Sequence, residues 1–229
     1  MAAPKPPAAP TGLAPYIDHS LLKPDVTQEQ IRQLCTEARE HSFAAVCVNP
    51  CHVPLCIEAL KGAAPKVCTV IGFPLGANAT ALKIEEARLA IEAGATELDM
   101  VLNLGWLKSG EYQRALEDIQ SVRCAAPGAL LKVIIEACLL TDEEKRIACL
   151  LSVAAGADFV KTSTGFSSSG ATEDDVRLMR AIVGENIGVK AAGGIRDANT
   201  ALAMIKAGAN RIGCSCGMQI IKTEKFEPI

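Results

Sequence analysis

The feature that most constrains this chain is an alternation, sustained from residue 16 onward, of short apolar runs with segments patterned as helices. The runs cover residues 16–22, 43–50, 67–74, 97–103, 130–137, 158–166, 188–192 and 211–214. They are apolar almost throughout, without an in/out alternation, as strands of a parallel sheet are when helices cover both faces. Between them, Thr27 with Glu29 and Gln30 predicts a capped helix whose apolar positions Ile31, Leu34, Cys35 and Ala38 recur at three and four residues. Further helices are predicted near 52–60, 79–93, 110–125, 141–156, 172–183 and 197–207, with a short one at the end of the chain. Eight strand–helix units point to an α/β fold closed as a (β/α)8 TIM barrel. A doubly wound open sheet shares the alternation, but no strand here leads into a G-x-G-x-x-G turn.

The chain reads as one domain over residues 16–229, preceded by a flexible Ala/Pro-rich tail, 1–15, that lacks the apolar core of a signal peptide. With 49% hydrophobic and 21% charged residues it is globular in composition, and a net charge of −3 without a basic run offers no footprint for nucleic acid or an anionic membrane. Small-molecule partners are expected. The longest stretches without a charged residue, such as 67–82, are broken by Gly, Pro and Asn and fall short of a membrane span, so a cytoplasmic protein is expected. The ten cysteines sit mostly in apolar segments (Cys35, Cys47, Cys68, Cys124, Cys138, Cys149), which favours buried reduced thiols over disulfides. Neither Cys47, Cys51 and Cys56 nor Cys214 and Cys216 have paired metal-ligand spacing, and His19, His41 and His52 are not grouped with them, so no metal is expected.

Ala93-Gly94-Ala95, Ala155-Gly156-Ala157 and Ala207-Gly208-Ala209 each end a helix and launch a strand. Five residues beyond these glycines lie Asp99, Lys161 and Gly213, and Cys47 lies five beyond Ser42, so the four are expected at similar heights. Ionisable residues inside apolar strands are the chemical signal: Asp99, Lys132, Lys161 and Lys190. A buried ammonium needs a partner or loses its charge. Several such residues converging at the C-terminal mouth of a barrel read as an active site, with Lys161 as candidate amine nucleophile. A lysine forms a Schiff base only as the free amine. A second ammonium about 4 Å away repels it by roughly 4 kcal/mol at an effective dielectric near 20, the part expected of Lys190. Asp99 would balance the charge and move protons. Gly193, Gly194 and Gly213 close strands seven and eight, where loops of this fold commonly bind phosphate, and Gly165 could join them.

The runs Asp18-His19-Ser20-Leu21-Leu22-Lys23-Pro24, Ala45-Val46-Cys47-Val48-Asn49-Pro50, Glu97-Leu98-Asp99-Met100-Val101, Leu131-Lys132-Val133-Ile134-Ile135-Glu136, Lys161-Thr162-Ser163-Thr164-Gly165-Phe166, Lys190-Ala191-Ala192-Gly193-Gly194-Ile195-Arg196 and Arg211-Ile212-Gly213-Cys214-Ser215 follow one another in the order of a known family. From Ile17 through Gly217 the chain resembles the deoxyribose-phosphate aldolases. The resemblance implies reversible cleavage of 2-deoxy-D-ribose 5-phosphate to acetaldehyde and D-glyceraldehyde 3-phosphate, in deoxyribose phosphate catabolism, without metal or organic cofactor. It also implies a homodimer. It assigns Lys161 as Schiff-base nucleophile, Lys190 and Asp99 as the pair that perturbs it and relays protons, and Cys47 to the aldehyde pocket. Asp18 and Lys132 become polar supports or substrate contacts, and Thr164, Gly165, Gly193, Gly194, Arg196, Gly213 and Ser215 contacts to hydroxyls and phosphate.

Two residues depart from the resemblance. Phe166 stands where some members carry a lysine near the phosphate, and Cys216 where some have a second serine. The end of the chain, 221–229, also lacks a terminal tyrosine. A weaker preference for phosphorylated substrates is therefore expected. The lysine chemistry alone leaves a ketone-donor barrel aldolase open, and a barrel that has lost catalysis and binds sugar phosphate as a regulator is the reading from another class.

Overall fold

The computed structural model describes residues 12–224, and eight parallel strands close in sequence order into a barrel. The elements are β1 Ile17–Leu21, α1 Gln28–His41, β2 Ala45–Val48, α2 Val53–Ala59, β3 Lys66–Ile71, α3 Thr80–Glu92, β4 Glu97–Val101, α4 Leu104–Lys108, α5 Tyr112–Ala125, β5 Leu130–Ile134, α6 Asp142–Ala154, β6 Phe159–Lys161, α7 Glu173–Val183, β7 Gly188–Ala192, α8 Ala198–Lys206, β8 Arg211–Cys214 and α9 Gly217–Thr223. Residues 1–11 of the expected tail and 225–229 of the chain end lie outside the described residues. Leu13 is 2% exposed and belongs to the core, so ordered packing begins before residue 16.

Local chemistry explains the boundaries. Thr27 caps α1 and Thr141 caps α6 through reciprocal bonds with Gln30 and Glu144. After α1, Ser42 takes the left-handed conformation (φ 54°) that glycine takes after α3 at Gly94 (φ 103°), so this serine does occupy the equivalent helix-end position. Three strands stop three or more residues before their apolar runs do. β3 ends at Ile71, β5 at Ile134 and β6 at Lys161, because the chain beyond each turns into the loops over the barrel mouth. The short helix α4 was not expected. Asn103, read as the end of a strand, instead caps it by accepting from the Trp106 amide at 3.2 Å.

The main core lies between barrel and helices, fed by the outward residues of each strand: Ile17, Val46, Val67, Ile71, Leu98, Met100, Leu131, Val133, Val160, Val189 and Ile212. Inside the barrel the apolar part is small, formed by Ala45, Cys47, Cys68 and Val70 with Leu22 and Phe73 against them. Polar and charged residues occupy much of the rest. All ten cysteines are free; Cys124 is exposed and Cys138 half-buried, contrary to their expected burial, since Cys124 lies on the open side of α5 and Cys138 in the turn after β5.

Candidate active site

The strand register sets which side chains meet inside the barrel. Asp99 pairs with Lys132, and Lys132 with Phe159, two residues before Lys161. Lys161 pairs with Lys190, and Lys190 with Arg211, two before Gly213. Gly213 pairs with Asp18, and Asp18 with Ala45, two before Cys47; Cys47 pairs with Cys68, and Cys68 with Glu97, two before Asp99. That uniform stagger tilts the strands so that Cys47, Asp99, Lys161 and Gly213 of the even strands share one height. The equal spacing read from the Ala-Gly-Ala repeats thus corresponds to one layer of the barrel. The odd strands supply the layer below it: Asp18, Cys68, Lys132 and Lys190. Glu97 and Arg211 lie lower still.

Asp99 is the hub of these layers. Its Oδ2 accepts from Lys161 Nζ and from Lys190 Nζ, each at 2.7 Å, and its Oδ1 accepts from Lys132 Nζ at 2.9 Å and from the Cys68 thiol at 3.2 Å. Lys190 Nζ also lies 2.5 Å from Asp18 Oδ2, and Lys132 donates to Glu97 at 2.6 Å. Arg211 closes the base of the network on Asp18 and Glu97. Four cations therefore face three carboxylates. One carboxylate oxygen of Asp99 bridges the ammonium groups of Lys161 and Lys190, each 2.7 Å from it. Gly213 leaves room beside them, since a Cβ there would press on Lys190 Cε and the Ala192 side chain at 3.0 Å.

Burial penalises the charges of Asp18, Asp99, Lys132, Lys190 and Arg211, and their partners outweigh it. Against burial, Lys132, Lys161 and Lys190 hold Asp99 well below the ordinary carboxylate range, and Arg211, Lys190 and Lys132 do the same for Asp18. Asp18 and Asp99 lift Lys190 above the ordinary lysine range, and Asp99 and Glu97 are among the groups that lift Lys132. Burial pushes the Cys68 thiol well up, which suits its role as a donor to Asp99. Cys47, Cys68 and Asp99 bring three potential ligand atoms within 4.8 Å of one another, yet Asp99 is already engaged by three ammonium groups, poor company for a metal cation.

A cavity of about 460 Å³ opens above this cluster at the C-terminal ends of the strands. Of the network's charged groups, Lys161 alone lines it among the described residues. The wall includes Thr164, Gly165, Gly193, Gly194, Arg196, Gly213 and Ser215, all expected there, and Ser20, Leu22, Lys23, Phe166 and Cys216. Lys190, Asp99, Lys132, Asp18 and Cys47 are fully buried and lie beneath rather than around it.

The loop after β6 is held by neighbouring strands. Thr162 Oγ1 exchanges hydrogen bonds with Ala192 O (3.2 Å) and N (3.1 Å), while Gly170 packs so closely on Gly193 that a Cβ would meet its carbonyl oxygen at 2.1 Å. Glu136, 4% exposed and at φ 49°, accepts from the Thr164 amide at 3.1 Å and from its hydroxyl. Glu136, Glu97, Arg211, Cys68 and Gly170 were not singled out in the sequence. Two-residue spacing was the available signal for Glu97 and Arg211, which share an inward face with Asp99 and Gly213; nothing local marks Gly170.

Lysines and carboxylates converging beneath a cavity at the C-terminal mouth place the chain among the (β/α)8-barrel enzymes. A model of the DeoC/LacD family aldolases matches residues 13–223, and the chain belongs to that family. It is 61% identical to a deoxyribose-phosphate aldolase of Brevibacillus brevis, over 92% of this chain and 95% of that one. A second deoxyribose-phosphate aldolase, from Streptococcus uberis, is 62% identical over 91% of this chain and 95% of its own length. Among solved structures, the tetrameric deoxyribose phosphate aldolase of Aeropyrum pernix superposes with a TM-score of 0.86 at 36% identity, covering 92% of this chain and 89% of that one. Among the described residues, no helix is long and apolar enough to cross a membrane.

Proposed function

We propose that this chain is a class I aldolase that reversibly cleaves 2-deoxy-D-ribose 5-phosphate to acetaldehyde and D-glyceraldehyde 3-phosphate through a Schiff base on Lys161. The observation that carries the reading is that Lys161 is the amine at the floor of the cavity, joined through Asp99 to a buried network holding one more cation than carboxylates. Lys190 and Lys132 have further carboxylates in Asp18 and Glu97, whereas Lys161 meets Asp99 alone among the described residues.

The amine adds to the C1 aldehyde of the open-chain sugar and water leaves, giving the iminium. Loss of the C3 hydroxyl proton lets the C2–C3 bond break, its electron pair passing to C2 as the enamine. C3 departs as the aldehyde of glyceraldehyde 3-phosphate. Protonation at C2 and hydrolysis release acetaldehyde and restore the amine. Asp99, bridging Lys161 and Lys190, is placed to pass protons between them and, with a water, to the reacting carbons. Thr164 and Ser215 offer hydroxyls to the sugar, and Gly165, Gly193, Gly194 and Arg196 surround its phosphate end. Cys47 and Gly213 complete the layer of Lys161, and Asp18 and Lys132 support Lys190 and Asp99 from beneath.

A cytoplasmic setting and a homodimer belong to this reading. The free cysteines support the first. For the second, Leu82 and Leu89 lie exposed two turns apart on α3, and sedimentation of L82K/L89K against the wild type would test it.

Borohydride added in the presence of acetaldehyde should leave one ethyl group on Lys161, located by peptide mass spectrometry and absent from Lys161→Ala. Labelling by dihydroxyacetone instead would move the assignment to a ketone-donor aldolase. Labelling spread over surface lysines would favour the non-catalytic barrel.

A further inference from the structure

We propose that Lys23, in the loop after β1, is a specificity-determining cation that grips the phosphate end of the substrate together with Arg196; the inference rests on the aldolase reading above. The cavity wall carries Lys23, Lys161 and Arg196 and, among the described residues, no carboxylate. Lys161 is engaged by Asp99, whereas Lys23 and Arg196 are exposed and have no acidic partner within ion-pair distance among the described residues. A pocket whose charged lining is cationic alone selects an anion, and its two unengaged cations are the solvent-exposed ones.

Strand order explains why these two act together. β8 lies between β7 and β1 in the closed barrel, so the loops bearing Arg196 and Lys23 flank the loop after β8 that carries Ser215. Asn49 fixes the β1 segment by donating from Nδ2 to the Leu22 carbonyl at 3.2 Å. Lys23 therefore extends from a tethered base and not from a free tail. Phe166, on another side of the cavity, packs edge-on against Phe73 with ring centroids 5.2 Å apart and is 50% exposed, offering no charge. The weaker grip expected from Phe166 is thus offset by a cation arriving from a different strand.

The test compares kcat/KM for 2-deoxyribose 5-phosphate with that for 2-deoxyribose in the wild type, Lys23→Met and Lys23→Arg. Loss of one charge-assisted contact from a solvent-exposed cation should lower the ratio of the two values about ten-fold in Lys23→Met. Lys23→Arg should keep most of the preference. Competitive inhibition by inorganic phosphate should weaken in parallel in Lys23→Met. A ratio unchanged in Lys23→Met, or an equal loss in both variants, would overturn the proposal. If the wild type forms the borohydride-trapped ethyl adduct on Lys161 and the ratio still does not move, this inference alone fails. If the adduct does not form, the aldolase reading fails first.

Discussion

Among the described residues lysines are buried in two places, and in only one of them does a lysine open onto a cavity. Outside the barrel, Lys83 of α3 is fully buried against Asp118 of α5, with Nζ 2.5 Å from Oδ2 and 3.0 Å from the Val101 carbonyl, while Thr80 donates to the other carboxylate oxygen at 2.7 Å. One cation meets one anion, and two helices and a strand are tied together. Inside the barrel, four cations share three carboxylates and one of those cations opens onto a cavity. The two settings also move their lysines in opposite directions. Burial outweighs Asp118 and the more distant Glu86 and lowers Lys83, whereas Asp99 with Asp18 or Glu97 raises Lys190 and Lys132. Burial of an amine is therefore a poor sign of function; an unbalanced count of charges with an opening above it is a better one.

The sharpest way to break this comparison is Lys161→Met. If Lys161 is the surplus cation, its loss should reduce kcat by about 10⁴-fold or more. Because Asp99 keeps Lys132 and Lys190, stability should stay within about 1 kcal/mol of wild type, or rise. Urea unfolding alongside a retro-aldol assay checks both. A collapse of stability would show the amine to be as structural as Lys83.

Asp99→Leu should fail differently. It strips Lys132, Lys161 and Lys190 of their shared partner, so the fold should lose about 3–5 kcal/mol together with most activity. Lys83→Met should cost about 3 kcal/mol by stranding Asp118 in the interior, yet kcat per folded molecule should remain within about three-fold of wild type, since Lys83 touches nothing that lines the cavity. Adding Asp118→Leu to it should bring stability back to within about 1 kcal/mol, as a simple pair replaced by apolar side chains often does. No such rescue is expected from an apolar partner for Asp99→Leu. An equal rescue in both places would erase the distinction between them.

How far these sites could be read in the chain itself follows the same divide. Lys132, Lys161 and Lys190 stand out because a strand buried on both faces leaves an ammonium nowhere to go, and two-residue periodicity puts them on one side of the sheet. Lys83 does not, because α3 inverts the usual pattern. Its buried positions are Lys83, Ala87 and Ala90, while Leu82 is 57% and Leu89 51% exposed. A helix written that way reads with its wet and dry faces exchanged, and Asp118 is lost with it. The strand order and barrel closure were legible from the alternation; the early ends of β3, β5 and β6 and the helix α4 were not, since loops over a site are fixed by tertiary contacts such as Glu136 to Thr164. Lys23 was quoted in a motif but given no role, because nothing local says that the loop after β1 meets the loop after β8.

The smallest expected effect separates the two settings by pH. Asp18 and Asp99 have folded values below their unfolded values near 3.8, so they add stability above that pH and lose it as pH falls through the folded values. Lys132 and Lys190, raised above 10.5, add stability below that pH and lose it as pH rises through their folded values. The barrel cluster therefore contributes its full share between roughly pH 4 and 10. Lys83 runs the other way. Its folded value lies below 10.5, so the unfolded chain holds that proton longer, and stability rises with pH from the folded value toward 10.5. The urea midpoint of the wild type relative to Lys83→Met should accordingly climb as pH is raised through the alkaline range below 10.5. A difference that falls over that range would mean that Asp118 outweighs burial at Lys83, and that the two settings share one electrostatic balance after all.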